Sequence, residues 1–302
     1  GTASLPHVMM RYFTTPSVKS ARRSVGWSLF FIFLLYSSAP MLATLSKLSL
    51  MDPNLATGII GKSIADVQAL DWYQNWNQAN LMFVSDFNGN GTLELNEFFM
   101  GGKAVVLATP EIAGLPYVIS GLVAAGGMAA AMSTADGLVL AIANALSHDL
   151  YYKIIDPKAE TAKRLIVARV LLVVIGFAGA TIAALEIQGI LGSVIWAFDF
   201  AMSGLFFPLV LGVWWKRANA QGAVAGMLLG LASGTAYLIW VRTGGAGFWG
   251  ITQLTFGIVG SLVSLVSMIV VSLITKAPDS ATQKMVDEVR VPSGKTVLGK
   301  QH

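Results

Sequence analysis

The chain has 302 residues, of which 55% are hydrophobic and only 12% are charged. This balance is typical of a protein with several membrane spans, and it argues against a large soluble enzyme. The formal net charge of +4 does not indicate a nucleic-acid partner, because the basic residues lie in short stretches between apolar runs. The absence of cysteine excludes disulfide bonds and thiolate metal sites in this chain.

Apolar runs and polar stretches alternate along the chain and divide it into segments. Residues 1–23 are a short apolar piece followed by basic residues, which indicates the end of a membrane helix and a basic cytoplasmic loop. Residues 24–46 are long and apolar enough to cross a hydrocarbon layer of about 30 Å. Residues 47–109 are predicted to form a polar extracytoplasmic loop. Residues 110–274 are predicted to hold five more spans, and residues 275–302 a solvated cytoplasmic tail.

The five later spans have predicted bounds of their own. A short lead-in helix, broken near Pro116, is expected to precede a tilted span that ends at the pair His148 and Asp149. The remaining four spans are predicted at 165–185, 190–215, 223–241 and 248–274. Because the sequence begins with a glycine inside a patterned segment, we expect it to be a fragment of a longer protein.

The distribution of Lys and Arg predicts the topology. If the six spans cross the membrane in alternating directions, all the basic stretches fall on one side of it. These stretches are 11–23, 153–164, 216–217 and the tail. Lys and Arg accumulate in cytoplasmic loops. We therefore expect a multi-pass protein of the cell (inner) membrane, surrounded by the lipid bilayer, with both ends of this chain in the cytoplasm.

The apolar stretch at residues 126–153 contains polar side chains at Ser133, Thr134 and Asp136. Small residues at helical spacing most often allow two membrane helices to approach closely, and their hydroxyls usually bond their own backbone. A dehydrated cation is the alternative partner for such hydroxyls. Asp136 favours a functional role, since an ionisable residue within a span is energetically expensive.

The acidic loop contains the run DFNGNGTLELNE at residues 86–97, which fits the EF-hand calcium loop D-x-[DN]-x-[DN]-G-x5-E. Its oxygen ligands would come from Asp86, Asn88, Asn90, Thr92, Glu94 and Glu97. Gly91 would form the sharp turn, and a helix predicted at 71–84 would lead into the loop. The pattern predicts a Ca²⁺ site; the alternative is a solvated turn without an ion.

Four segments together resemble the sodium:solute symporter family. They are LPHVMMRYFT at 5–14, MSTADG at 132–137, SHDLYYK at 147–153 and WWKRANAQGAVAGMLLG at 214–230. The first and third segments are most similar to its acetate-permease or monocarboxylate branch. The resemblance covers the whole chain except the acidic loop and the tail.

The resemblance implies an all-α membrane protein with the LeuT-type inverted-repeat fold. This chain would be its C-terminal portion, namely the second repeat plus two peripheral helices, with about six transmembrane helices. The missing N-terminal half of the same transporter would complete the sites. Transporters of this type bind substrate and ion near the midplane, where the repeats meet.

The resemblance also implies site residues. Sodium would bind the hydroxyls of Ser133 and Thr134 and the carbonyl of Ala130. Asp199 lies in a span where the family places a polar substrate contact, and Asp136 is a second candidate for contacting substrate. For Asp199 the alternative is a structural bond to a hydroxyl or to a basic group of another span.

The expected function is sodium-coupled import of a small organic solute, such as the monocarboxylate acetate. A symporter of the sodium/proline type and a membrane sensor built on a transporter scaffold are the alternatives. The acetate-permease branch tends to lack the Ser-Thr pair, so the pair favours sodium as the coupling ion and leaves the solute open. An enzyme has no support, because the three histidines are scattered and no nucleophile, base and orienting group come together.

Overall fold

The computed structural model describes residues 1–185 and 187–290, so the part of the predicted tail beyond residue 290 lies outside the described residues. Helices dominate, and six of them are long and apolar enough to cross a membrane. The expected all-α membrane protein with about six transmembrane helices is therefore confirmed. The candidate spans are Val18–Met51, Tyr117–Ile155, Thr161–Ala184, Ile190–Trp214, Ala220–Arg242 and Gly257–Ile274.

The helices and strands follow one another along the chain with these bounds. The α-helices are α1 (Pro6–Met10), α2 (Val18–Met51), α3 (Ile64–Gln68), α4 (Asp71–Gln78), α5 (Val105–Ile112), α6 (Tyr117–Asn144), α7 (Thr161–Ala184), α8 (Ile190–Ala201), α9 (Phe207–Trp214), α10 (Ala220–Arg242), α11 (Gly257–Ile274) and α12 (Ser280–Arg290). Two short strands, β1 (Met82–Val84) and β2 (Phe98–Met100), form an antiparallel pair. The chain divides into two compact units, one comprising Arg22–Ala135 and the other comprising Gly1–Ala21 with the described residues from Asp136 onward.

The first span is longer than its prediction at 24–46. Helix α2 has 34 residues and so is about 51 Å long at 1.5 Å per residue. It continues through Pro40, whose carbonyl accepts a hydrogen bond from the Thr44 hydroxyl at 2.9 Å. Proline has no N–H, so the carbonyl that loses its helical partner is that of Tyr36, four residues earlier.

The segment predicted as a polar loop at 47–109 has a hydrophobic core of its own. Leu50, Val67, Tyr73, Met82 and Leu93 are all buried in one cluster. The two strands pair with Phe83 opposite Phe99, and these rings stack with centroids 4.7 Å apart. The polar composition of this segment hid the core, because its apolar residues are spread over several short elements.

A short helix precedes the second span, but it begins at Val105, five residues before the predicted segment. Helix α5 ends at Ile112, and α6 begins at Tyr117, directly after Pro116. Gly114, between them, has a φ of +66°, a conformation that favours glycine. Helix α6 then widens into a π-helical segment, Ala145–Ile155.

A second π-helical segment, Met202–Phe206, separates α8 from α9 within one span. Single turns of this type are rare and occur often at functional sites. The sequence predicts one uninterrupted span at 190–215, whereas the structure shows this interruption within it.

Helices α10 and α11 pack along a row of small residues. Gly222, Gly226, Gly230 and Gly234 recur every fourth residue of α10, and all four are buried. On α11 they face Ser264, Met268 and Ser272, among others. A Cβ atom built on Gly230 would lie 2.7 Å from Cβ of Ser264, so the two backbones approach more closely than larger side chains allow. Helix α11 begins nine residues after the predicted bound of 248, because Trp249 (φ 51°) and Gly250 (φ +76°) form a turn.

Part of the predicted tail is a helix docked on the membrane bundle. Val286 of α12 is buried, and the Asp287 carboxylate lies 2.8 Å from the Lys216 ammonium. Arg290 reaches the same carboxylate and also lies over the Trp214 ring, 5.8 Å from its centroid. These contacts involve residues far apart in the sequence, so the polar composition of the tail did not reveal them.

Candidate ion and substrate site

The three residues predicted to hold sodium lie together on one face of α6. The Ser133 hydroxyl donates to the Ala130 carbonyl at 3.0 Å, and the Thr134 hydroxyl donates to the same carbonyl at 3.2 Å. This geometry follows from helical spacing, because residues three and four apart share a face. Two hydroxyls therefore lie within hydrogen-bond distance of one carbonyl oxygen, and all three oxygens are of the neutral type that a hard cation can bind.

The same hydrogen bonds fit the packing alternative. Ser and Thr within helices commonly donate to the carbonyl three or four residues earlier. A comparable bond occurs on α7, where the Thr181 hydroxyl donates to the Phe177 carbonyl at 2.9 Å. The sodium role of Ala130, Ser133 and Thr134 thus remains a prediction, and Thr181 supplies a matched control.

Asp136 lies two residues beyond Thr134 and is exposed. Its carboxylate has no hydrogen-bond or ion-pair partner among the described residues. At the next position, a Cβ atom built on Gly137 would lie 3.3 Å from Nη2 of Arg11. The guanidinium of Arg11 therefore lies against α6, one residue away from Asp136.

Asp199 lies near the end of α8, immediately before the π-helical segment. Its carboxylate lies close to the backbone of Gly257, at the start of α11. A Cβ atom on Gly257 would lie 2.8 Å from Oδ1 of Asp199, so only glycine permits this approach. The other carboxylate oxygen, Oδ2, is buried without a hydrogen-bond partner among the described residues.

Neither structural alternative for Asp199 is seen in the part of the chain that the structure describes. The Ser203 hydroxyl donates to the backbone carbonyl of Asp199 at 2.7 Å, not to the carboxylate. No basic side chain from another span forms an ion pair with Asp199 among the described residues. A buried carboxylate oxygen without a partner is costly, which is consistent with a cation, a proton or a solute group bonding there.

The acidic loop is closed by hydrogen bonds to its own backbone. Asp86 accepts from the N–H groups of Gly89 and Gly91 at 2.7 and 3.0 Å. Glu97, which is fully buried, accepts from the N–H groups of Phe87 and Glu94 at 2.9 and 3.0 Å. Gly91 has a φ of +71°, as the predicted sharp turn requires.

The side-chain amides of the loop are also engaged. Asn88 and Asn90 both donate to Oε1 of Glu94, at 2.9 and 3.0 Å. The side-chain oxygens of Asn88 and Asn90 accept from the N–H groups of Asn90 and Thr92. Among the described residues no group of three His, Cys, Asp or Glu side chains is placed to hold a metal ion. Calcium binding is therefore not supported by the arrangement, although the oxygen-only donor set suits it.

The elements flanking this loop differ from those of an EF-hand. The helix expected at 71–84 ends at Gln78, and β1 leads into the loop. A single 3₁₀ turn, Leu95–Glu97, and β2 follow it in place of a second helix. The hairpin brings the ends of the loop together, because the Ser85 N–H donates to the Glu97 carbonyl at 3.0 Å.

Comparison with known proteins identifies relatives of the whole chain. An uncharacterized symporter from Cupriavidus necator is 41% identical over 300 residues, which cover 96% of this chain and 43% of that protein. A monocarboxylic acid transporter from Corynebacterium glutamicum is 27% identical over 235 residues, or 77% of this chain and 35% of that protein. An osmoregulated proline transporter from Bacillus subtilis is 30% identical over 168 residues, or 56% of this chain and 33% of that protein.

The chain spans less than half the length of each of these relatives. They are transporters rather than enzymes. Residues 103–230, which include α5 to α9 and the start of α10, match the model of one family. The match and the relatives confirm the family resemblance noted in the sequence. That family is the sodium:solute symporter family.

Proposed function

We propose that the chain is part of a sodium-coupled symporter that imports a small organic solute carrying one carboxylate. The observation that carries this proposal is the convergence of the Ser133 and Thr134 hydroxyls on the Ala130 carbonyl. Sodium is a hard cation that neutral oxygens satisfy, and these three oxygens lie inside a candidate span and inside the family match.

The inward sodium gradient would supply the driving force. Moving one positive charge across the membrane is worth about 2.3 kcal/mol per 100 mV. In this proposal the hydroxyls turn from the Ala130 carbonyl towards the ion, and further ligands come from the part of the transporter outside this chain. Both ends of the chain would lie in the cytoplasm of the cell membrane, since the basic stretches then face inward.

The solute class rests on the relatives. The names of two relatives specify a monocarboxylic acid and proline, and both solutes carry one carboxylate. An anionic solute needs a cationic or hydrogen-donating contact, and Arg11 lies against the small-residue face of α6. Asp136 and Asp199 are candidates for further solute contacts. Asp199 would repel a carboxylate unless a cation or proton lay between them.

Uptake into proteoliposomes tests this function directly. The purified full-length transporter should accumulate labelled acetate or another monocarboxylate when sodium is high outside, and accumulation should cease when potassium replaces sodium. Labelled proline, in a parallel assay, distinguishes the amino-acid alternative. Equal uptake with and without a sodium gradient would contradict sodium coupling, and the absence of uptake for every monocarboxylate and proline would favour the sensor.

We further propose that residues 86–97 bind Ca²⁺ and that the ion rearranges the loop. The support is local: Asp86, Glu94 and Glu97 place three carboxylates within twelve residues of sequence, and Gly91 already adopts the required backbone conformation. On binding, the carboxylates of Asp86 and Glu97 would contact the ion in place of the backbone N–H groups that now donate hydrogen bonds to them. A site of this kind outside the cell is expected to be weak, with a Kd of about 10⁻⁴–10⁻³ M.

A further inference from the structure

A cavity of about 560 Å³ lies where α9, α10, α11 and α12 meet. Its wall is largely apolar and includes Pro208, Met268 and Val286. Gly212 of α9 also lines it, and a Cβ atom built there would meet nothing within 4 Å. The volume is within the range of about 300–1,000 Å³ found for small-molecule sites.

One edge of this cavity is polar and is fixed by hydrogen bonds. Asn219 and Lys276 both line it. The side-chain amide of Asn219 donates to the Lys276 carbonyl at 2.9 Å and to the Thr275 hydroxyl at 2.7 Å. Arg217 donates through Nη2 to the Thr275 carbonyl at 2.7 Å. The backbone beside Lys276 is therefore held in place before any ligand arrives.

The positive charge at this edge is not balanced by the described part of the chain. Lys216 is paired with Asp287 at 2.8 Å. Neither Arg217 nor Lys276 forms an ion pair with a described residue. Nη1 of Arg217 is moreover buried without a hydrogen-bond acceptor among those residues. Arg217 holds the backbone beside Lys276, and the ammonium of Lys276, which lines the cavity, is the group available to an anion there.

The apolar wall and the cationic edge together match an amphiphilic anion. The wall consists of membrane-spanning helices, and the cations directly follow the ends of α9 and α11. Basic pockets between membrane helices at this level bind lipid headgroups. We infer that the cavity binds one anionic phospholipid, with its phosphate at Lys276 and an acyl chain against Pro208 and Met268. This inference does not depend on which solute is transported.

The bound lipid would also hold α12 in place. Met285 and Val286 of α12 both line the cavity, so an acyl chain there contacts the tail helix as well as the spans. Removal of the lipid is expected to loosen α12, since its remaining attachment includes the exposed pair between Lys216 and Asp287.

Delipidated full-length transporter in detergent provides the test, with phosphatidylglycerol, phosphatidylcholine and soluble glycerol phosphate as probes. Phosphatidylglycerol should raise the Tm and remain bound in native mass spectrometry, whereas the other two should do neither. Gly212→Leu fills the cavity and should abolish both effects. Lys276→Gln should weaken the affinity about fivefold, as expected for one basic residue.

Matched controls separate the site from general effects. Gly176→Leu adds the same side chain to another position with open space, on α7, and Lys284→Gln removes a charge from α12 outside the cavity lining. Both variants should respond to phosphatidylglycerol like the wild type. An equal response to phosphatidylcholine, an equal response to glycerol phosphate, or an undiminished response in Gly212→Leu would overturn the inference.

Discussion

Gly230 of α10 lies so close to Ser264 of α11 that a Cβ atom on the glycine would be 2.7 Å from the serine Cβ. The same atom would overlap the backbone carbonyl of Ser203, in the π-helical segment between α8 and α9. Three consecutive spans thus meet at one glycine. The row of glycines on α10 therefore fixes the position of the span that carries Asp199.

We expect Gly230→Leu to destabilise the protein, because neither Ser264 nor a backbone carbonyl can move without shifting a helix. Overpacking of this kind typically costs about 1–3 kcal/mol. Thermal unfolding in detergent at a fixed scan rate should show a lower Tm. Gly176→Leu, at a glycine with open space around it, should leave the Tm nearly unchanged. Equal Tm values for the two variants would contradict the close packing at Gly230.

Removal of the paired hydroxyls should weaken sodium coupling. Ser133→Ala and Thr134→Ala each delete one neutral oxygen, and we expect the sodium concentration for half-maximal uptake to rise about tenfold. Thr181→Ala removes a hydroxyl with the same type of backbone bond on α7 and should leave the sodium dependence unchanged. Wild-type sodium dependence in both site variants would mean that the pair serves helix packing.

Asp199→Asn tests the partnerless carboxylate oxygen. The amide keeps the shape and one acceptor oxygen of the carboxylate but carries no charge and does not titrate. If Asp199 holds a coupled proton or contacts solute, the pH dependence or the apparent KM of uptake should differ between the variant and the wild type between about pH 5 and 8. Uptake kinetics measured at several pH values would show this. Unchanged kinetics throughout that range would assign Asp199 a structural role.

The attachment of α12 should depend on pH. The hydrogen bond from Lys216 lowers the pKa of Asp287, and the charges of Lys216 and Arg290 lower it further. A carboxyl whose pKa is lower in the folded state contributes stability above its unfolded pKa, about 3.9, and loses it as the pH falls through the folded pKa. The protection factors of the α12 amides, which correct the exchange rates for their intrinsic pH dependence, should therefore fall under acid conditions.

Asp287→Asn should show lower protection factors in α12 already at neutral pH, without the further acid-dependent decrease that is due to this pair. Glu288→Gln is the matched control, since it removes a neighbouring exposed carboxylate outside the ion pairs found in the described chain. An acid response that is identical in wild type and Asp287→Asn would show that this pair does not set the pH dependence.

Calcium titration tests the loop at residues 86–97. In the intact transporter, calorimetry should detect binding at millimolar Ca²⁺, and Asp86→Asn should weaken it by removing a charged ligand. Glu111→Gln removes a carboxylate from the same compact unit outside the loop, where it accepts from the Trp76 indole at 3.0 Å, and should bind like the wild type. If the titration of the wild-type protein detects no binding, the calcium proposal is wrong, and the loop is an acidic turn closed by hydrogen bonds to its own backbone.

The sequence by itself determined the features that depend on neighbouring residues. Apolar runs of sufficient length predicted six spans, since a hydrocarbon layer demands them. Helical periodicity placed Ser133 and Thr134 on the same side as Ala130, because their bonds run within one helix. The break before α6 and the turn at Gly91 were also predictable, since glycine and proline act on the local backbone.

Only the tertiary structure decided which distant residues meet. The contact between Asp199 and Gly257 joins α8 to α11, and its signal in the sequence is a single glycine among many. The docking of α12 through Lys216 and Asp287 and the core beneath the acidic loop are equally long-range. The residues at these positions are small or polar. Their hydropathy is the same whether they contact another helix or solvent, so the hydropathy pattern does not reveal the contact. Periodicity therefore reveals a face of a helix, and packing alone determines what that face contacts.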